Sequence, residues 1–267
     1  MNLSLFWRSS CIIIIEATKR GESVPKLEVY SRKLPYSYAL GLFPSLTLIS
    51  ARPELAQRLL LHPDGMGNEG VEKLRALCSE IGVREEEAGR VLRRESKKDN
   101  CYAGIVFEKR ESDLDAGRNH AVLCQISDGG NLGTALRSLL GFGYEDVALV
   151  RPCVDAFDPH VVRASMGAFF RLRLRTFDTF DAYRALYPDR ALYPFMLDGA
   201  RPLDDVARAA RAPFSLVFGN EQSGLPAVFQ TYGQSVFIPQ SDKIDSLNLS
   251  VAVSIGAYAF RQKEETL

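Results

Sequence analysis

AVLCQISDGGNLGTALRSLLGFG (residues 121–143) decides the fold class. Its first seven residues form an apolar run of the kind found in a strand buried on both faces. Small, turn-prone residues follow, and then a helix pattern that we expect to start at Asn131 as cap and to stop at a glycine. The same alternation recurs downstream. DVALV (146–150) is an expected strand, and DPHVVRASMGAFF (158–170) an expected helix with Pro159 in its first turn. FRLRLRTF (170–177), PFMLDG (194–199), PFSLVFG (213–219) and SVFIPQ (235–240) are further expected strands. Strands of near-continuous apolar character alternating with helices imply a parallel sheet covered on both faces, hence an α/β domain. The closing helix, LNLSVAVSIGAYAF (247–260), is apolar almost all round, so burial inside the domain or against another subunit is expected.

Upstream the character changes. Residues 26–110 are rich in charged helix formers. GVEKLRALCSEIGV (70–83) carries Val71, Leu74, Leu77, Cys78 and Ile81 at helical spacing, with Gly82 placed to end it. EEEAGRVLRRES (85–96) is expected as a second helix, acidic at its start and basic at its end. YAGIVFEKR (102–110) is expected as a strand, which makes 26–110 a smaller α/β unit. The polar stretch 111–119 is the best linker. Residues 1–25 are read as an N-terminal extension whose apolar run 11–15 is too short to span a bilayer.

Composition excludes several classes. The 267 residues contain 33 Lys+Arg and 33 Asp+Glu. A net charge of zero argues against non-specific coating of nucleic acid and leaves only local basic patches for such contacts. Five scattered cysteines without a C-x-x-C pair, and three dispersed histidines, point away from disulfides and metal sites and towards a reducing cytoplasm. No membrane association and no metal are expected.

Three strand-end stretches carry the candidate chemistry: DGGNLGTALR (128–137), FGNEQSGL (218–225) and IPQSDKIDSLNLS (238–250). The glycines beside Asn131 would let backbone approach a ligand. They do not fit the dinucleotide fingerprint G-x-G-x-x-G, nor does a P-loop G-K-[ST] follow, which disfavours a nucleotide-dependent oxidoreductase. Arg137 suits a phosphate or carboxylate, although a helix arginine also snorkels to solvent or pairs with an acid. Glu221 could orient a substrate group or cap a helix. Ser246 is the natural N-cap of the last helix, whereas Asn248, at the start of a buried helix, needs polar partners.

Together these stretches resemble the three motifs of SpoU-type, TrmH-like RNA 2′-O-ribose methyltransferases of the SPOUT superfamily. Asn131, Gly133 and Arg137, preceded by Asp128, match the first motif. Gly219, Glu221 and Gly224 match the second. Ile238, Pro239, Ser246, Leu247, Asn248 and Ser250 match the third, with Gln240 and Asp242 departing from the usual Met and Gly. RASMGAFF (163–170) is similar to the family's Ser-x-Gly segment. The resemblance covers about 120–262. It implies a trefoil-knotted parallel-sheet methyltransferase domain over 120–267, preceded by a ribosomal-protein-like substrate-binding domain. The cofactor it implies is S-adenosylmethionine, held by Phe218, Gly219, Asn220, Gly224, Ile238 and Leu247. It also implies a homodimer burying the last helix, an RNA substrate (tRNA or rRNA), and Arg137, Asn131, Glu221, Ser246 and Asn248 around the reacting hydroxyl. A catalytically silent RNA-binding relative is the alternative. RNA contact is expected from Arg171, Arg173 and Arg175 on one strand face, and from Arg93 and Arg94; solvated ion pairs are the ordinary explanation of such clusters.

Overall fold

A computed structural model describes residues 26–197 and 200–261; the extension 1–25, with its apolar run at 11–15, lies outside the described residues. Two sheets organise the chain. The first contains β1 (Tyr36–Leu40), β2 (Ala56–Leu61), β3 (Arg84–Glu87) and β4 (Ala103–Glu108) in the order β1-β4-β2-β3. β4 runs antiparallel to both neighbours, and β3 is parallel to β2. Helices α1 (Leu42–Ala51), α2 (Glu69–Glu80) and α3 (Gly89–Ser96) accompany it. The α2 helix starts where the Asn68 side chain accepts from the Gly70 and Val71 amides, and it buries Val71, Leu74 and Cys78. Gly82 follows with φ 74, a conformation that glycine enters freely.

Residues 85–96 correct the expected helix. Only Gly89–Ser96 is helical, because Arg84–Glu87 pairs with β2. The sequence REEE favours helix locally, but the open edge of β2 offers a ladder, and Arg75 on α2 holds Glu85 at 2.9 Å. Tertiary pairing overrides propensity here.

The second sheet is wholly parallel, with β5 (His120–Cys124), β6 (Asp146–Val150), β7 (Arg173–Phe177), β8 (Ala191–Pro194) and β10 (Phe214–Phe218) in the order β7-β6-β5-β10-β8. Every residue of β5, β6 and β10 is buried, which explains their unbroken apolar runs. A two-residue parallel pair joins β9 (Arg201–Pro202) to β11 (Val236–Phe237). Around the sheet lie α4 (Gly129–Gly141), α5 (Pro159–Ala164), α6 (Phe180–Leu186), α7 (Leu203–Ala207) and α8 (Leu249–Phe260). Two expected strands shift: Ala168–Arg171 forms a 3-10 turn before β7, and of the strand expected at 194–199 only Pro194 belongs to β8 (Ala191–Pro194), while 198–199 lie outside the described residues. One face of α8 buries Leu249, Val253, Ala257 and Phe260, while Val251 and Tyr258 stay 44% and 53% exposed. The helix is therefore buried on one side only.

The stretch 111–119 is not a free tether. Ser112 donates its amide to Leu174, Glu111 accepts from the Thr176 amide, and Asp115 donates its amide to Asp146 at 2.8 Å. These bonds fasten it along the open edge of β7. Phe107 of β4 packs edge-on against Phe170, ring centroids 5.0 Å apart, so one hydrophobic core runs under both sheets. Across the junction the Tyr30 hydroxyl donates to Asp155 at 2.6 Å, with Lys109 beside it at 3.4 Å.

His120 begins β5 fully buried, bonded to the Tyr183 hydroxyl at 2.9 Å and the Asp115 carbonyl at 2.8 Å. Burial, and then the nearby Arg190 guanidinium, push its imidazole down to about 4. The unfolded chain takes up a proton below about 6.5, and the folded chain refuses it until about 4. Stability should therefore fall by on the order of 3 kcal/mol as pH drops through that window. Urea unfolding at pH 7 and pH 4.5 measures it, and the slope should be reduced in His120→Asn.

Candidate active site

β5 and β10 lie side by side and point the same way, so the loops at their C-terminal ends emerge together. Strand order changes direction beside β5, the position at which open parallel sheets bind ligands. From β5 the chain passes Ser127 and Asp128 into α4. Asp128, not Asn131, caps that helix, its carboxylate accepting from the Asn131 amide at 2.6 Å. The glycines of this turn make room for protein rather than for a ligand. A Cβ at Gly133 would lie 2.7 Å from the Val161 carbonyl oxygen, and one at Gly129 would lie 3.1 Å from Val161 Cγ2. They allow α4 and α5 to pack closely.

From β10 the chain enters a tight turn in which Asn220 and Gly224 exchange backbone hydrogen bonds. Gly224 has φ 66, and a Cβ at Gly219 would lie 2.6 Å from the Leu225 nitrogen. Both positions require glycine. The turn delivers Glu221 to the end of β5. Its carboxylate accepts from Ser127 Oγ (3.1 Å), the Ser127 and Asp128 amides (3.4 Å each), Asn131 Nδ2 and Asn220 Nδ2 (3.3 Å each). Partial burial works to raise its pKa, but the combined donors hold the carboxyl below its ordinary value.

Asn248 brings in the third stretch. Its carbonyl caps α8 by accepting from the Ser250 amide and hydroxyl, and its Nδ2 donates to Asn131 Oδ1 at 2.9 Å. Glu221, Asn131 and Asn248 thus form one hydrogen-bonded chain across all three motif stretches. The expected cap, Ser246, lies two residues earlier and is exposed.

Beside this chain is a cleft of about 390 Å³, lined by Phe218, Gly219, Asn220, Gly224, Ile238 and Leu247, together with Glu221 and Ser246. Phe195, Met196, Leu197, Gln240 and Asp245 also line it. Of these five the sequence marks only Gln240, as a departure within the third motif, and Phe195, Met196, Leu197 and Asp245 are not among the expected site residues. Only the sheet order brings the end of β8 beside β10. The Phe195 ring stacks on Phe218 at 4.3 Å, and Gly256 of α8 leaves room for that stack.

Asn131, Arg137 and Asn248 lie outside the cleft lining. Arg137 is exposed and makes no hydrogen bond or ion pair with another described residue. The other arginines divide. Arg173 grips Asp146 with two nitrogens at 2.7 and 2.6 Å, and Asp146 is itself fully buried. That bond to Asp146 raises the Arg173 pKa. Arg175 pairs with Asp113, and Arg94 with Glu95. These three are engaged within the protein, whereas Arg171 and Arg93 are exposed and without a partner among the described residues.

Residues 118–258 match the SpoU rRNA Methylase family, and the chain belongs to that family. An uncharacterized tRNA/rRNA methyltransferase of Synechocystis sp. is 32% identical over 152 residues, covering 54% of this chain and 53% of that protein. The 23S rRNA (guanosine(2553)-2′-O)-methyltransferase RlmP of Bacillus subtilis is 26% identical over 160 residues, covering 58% of this chain and 63% of its own. The chain thus spans between about half and two thirds of the length of these relatives. An AdoMet-bound rRNA methyltransferase from Sinorhizobium meliloti superposes with a TM-score of 0.72 at 25% identity, over 85% of this chain and 87% of that one.

If Glu221 holds the two loops together, Glu221→Ala should release the Ser127 and Asp128 amides. Hydrogen exchange there should accelerate by roughly tenfold or more, with Glu221→Gln intermediate. Unchanged exchange would show that other bonds hold the turn.

Proposed function

We propose that this protein is an S-adenosylmethionine-dependent methyltransferase acting on a ribose 2′-hydroxyl of tRNA or rRNA. One observation carries the reading. The Glu221–Asn131–Asn248 chain joins the three motif stretches beside a cleft lined by all six residues expected to hold the cofactor. The cleft fits such a group: its volume of about 390 Å³ lies in the range of small-ligand sites. Its walls pair apolar Phe218, Ile238 and Leu247 with the polar backbone of the Gly219–Gly224 turn, a mixture suited to an adenosine. Bound there, the cofactor would supply an electrophilic methyl group on a sulfonium.

The chain's own residues would align the acceptor and manage charge. The ribose oxygen would bond to the methyl carbon as the carbon–sulfur bond breaks and a neutral thioether leaves, and the hydroxyl proton would pass late to the neighbouring phosphate, so the charge on that oxygen needs stabilising while the bond forms. A guanidinium keeps its proton at working pH, so Arg137 serves as a phosphate clamp and electrostatic stabiliser rather than as a base. Its lack of a partner among the described residues leaves it available. Glu221 and Asn248 fix the Asn131 amide from both sides, with Ser246 at the cleft wall.

The proposal extends to the assembly. Residues 26–110 would bind the RNA substrate, and the segment after β10 would complete a trefoil knot, a reading supported by β10 lying inside the sheet between β5 and β8. The open flank of α8, with Val251 and Tyr258 exposed, supports a homodimer interface. Unpaired Cys78, Cys101, Cys124 and Cys153 support a cytoplasmic setting.

Arg137→Ala should abolish methyl transfer to RNA from cells lacking the protein, while calorimetric titration with S-adenosylmethionine gives an affinity within about twofold of the parent. Retained turnover removes Arg137 from this role. Absence of cofactor binding in the parent would favour the catalytically silent RNA-binding alternative.

A further inference from the structure

Two large apolar side chains stand on the surface where the first sheet's helices meet α4 and α5. Phe43, near the start of α1, is 60% exposed, and Met166, just after α5, is 41% exposed. The backbone brings them to one face. Gly167 (φ 84) abuts α1 so closely that a Cβ there would lie 2.5 Å from Thr47 Oγ1. Thr47 follows Phe43 by one turn and donates to its carbonyl at 3.0 Å. Residues four apart on a helix differ in direction by only about 40°, so Phe43 projects beside the Met166–Gly167 corner. Met166 itself holds φ 50, a region in which a residue with a side chain is strained. Strain that sets a large hydrophobe outside the core calls for a reason.

The other side of that corner meets α4. A Cβ at Gly133 would lie 2.9 Å from the Ser165 nitrogen, and Arg137 follows Gly133 by four residues on that side of the helix. Arg171 ends the 3-10 turn packed between α1 and α4. The Phe43–Met166 surface is therefore flanked by two exposed guanidinia that have no partner among the described residues. Free cations around an apolar platform complement a polyanion that carries flat rings.

We propose that Phe43 and Met166 form a stacking platform for an unpaired RNA base next to the methylated nucleotide, with Arg137 and Arg171 on the adjoining phosphates. This rests on the methyltransferase reading above. Presenting a single ribose hydroxyl to a cleft requires a splayed strand, and a base pulled from its stack gains from a replacement surface. Such stacking tolerates any base, since each has a π-face.

The test uses the full chain, with ribosomal RNA from cells lacking the protein as methyl acceptor. A single-stranded oligoribonucleotide carrying a fluorescent purine analogue reports stacking directly. Phe43→Ala and Met166→Gly should each raise the KM for RNA roughly tenfold and abolish quenching of the analogue. Both should leave kcat and cofactor affinity within about twofold of the parent, and Phe43→Trp should restore both losses. Arg171→Glu should raise KM and make its salt dependence shallower, because it removes a phosphate contact. Unchanged KM and quenching in Phe43→Ala and Met166→Gly would overturn the platform. So would a change of oligomeric state in Phe43→Ala at unchanged KM, which would assign the face to a second copy. If the parent transfers no methyl to any RNA, the methyltransferase reading fails instead. Quenching by the parent and its loss in Phe43→Ala then decide the platform separately.

Discussion

The Glu221 carboxylate is the point on which the site depends. It is supplied by the turn after β10 and receives donors from the loop after β5 and from the start of α4. Hydrogen bonds to a charged acceptor are stronger than neutral ones, and here five donors converge on a single group. Asn131 and Asn248 extend that contact to the cap of α8. Three loops widely separated in sequence thereby hold one arrangement at the C-terminal end of the sheet. The cleft beside them is closely packed on the α8 side as well, where Gly256 admits the Phe195–Phe218 stack.

Much of this was legible in the sequence, for reasons that lie in particular residues. AVLCQIS, DVALV and PFSLVFG announce β5, β6 and β10 because a strand buried on both faces has no polar face to show. REEE hides β3, since its strand character comes from the neighbouring β2 and not from its own residues. The motif residues could be named from the family resemblance, yet their bonds could not. Asp128 takes the capping role expected of Asn131, and Asn248 takes that expected of Ser246, because each sits one residue before the first residue of its helix. That arrangement leaves the Asn131 side chain free to join Glu221 and Asn248.

The arginines show a different limit. Alternation in RLRLR correctly sets Arg173 and Arg175 apart from Leu172 and Leu174, but alternation does not identify a partner. Asp146 begins a strand whose other residues are all apolar, and nothing in DVALV marks its carboxylate as the buried acceptor for Arg173. Phe195 to Leu197 escaped for a topological reason. Their place beside the cleft follows from β8 lying next to β10, and strand order is not written in any local pattern.

The core shared by the two sheets bears on how the protein can be divided. Phe107 from the first sheet covers Phe169 and Phe170 of the family-matched segment, while Tyr30 donates a hydrogen bond to Asp155 and Lys109 pairs with its charge. Cutting the chain at residue 118 would therefore uncover aromatic rings and remove the partners of a carboxylate, so the excised family-matched segment would tend to aggregate. Heating the intact chain should melt both sheets in one cooperative transition rather than in two. The partition at 111–119 suggested by the sequence is therefore not a partition of the hydrophobic core, which runs through both sheets as one cluster.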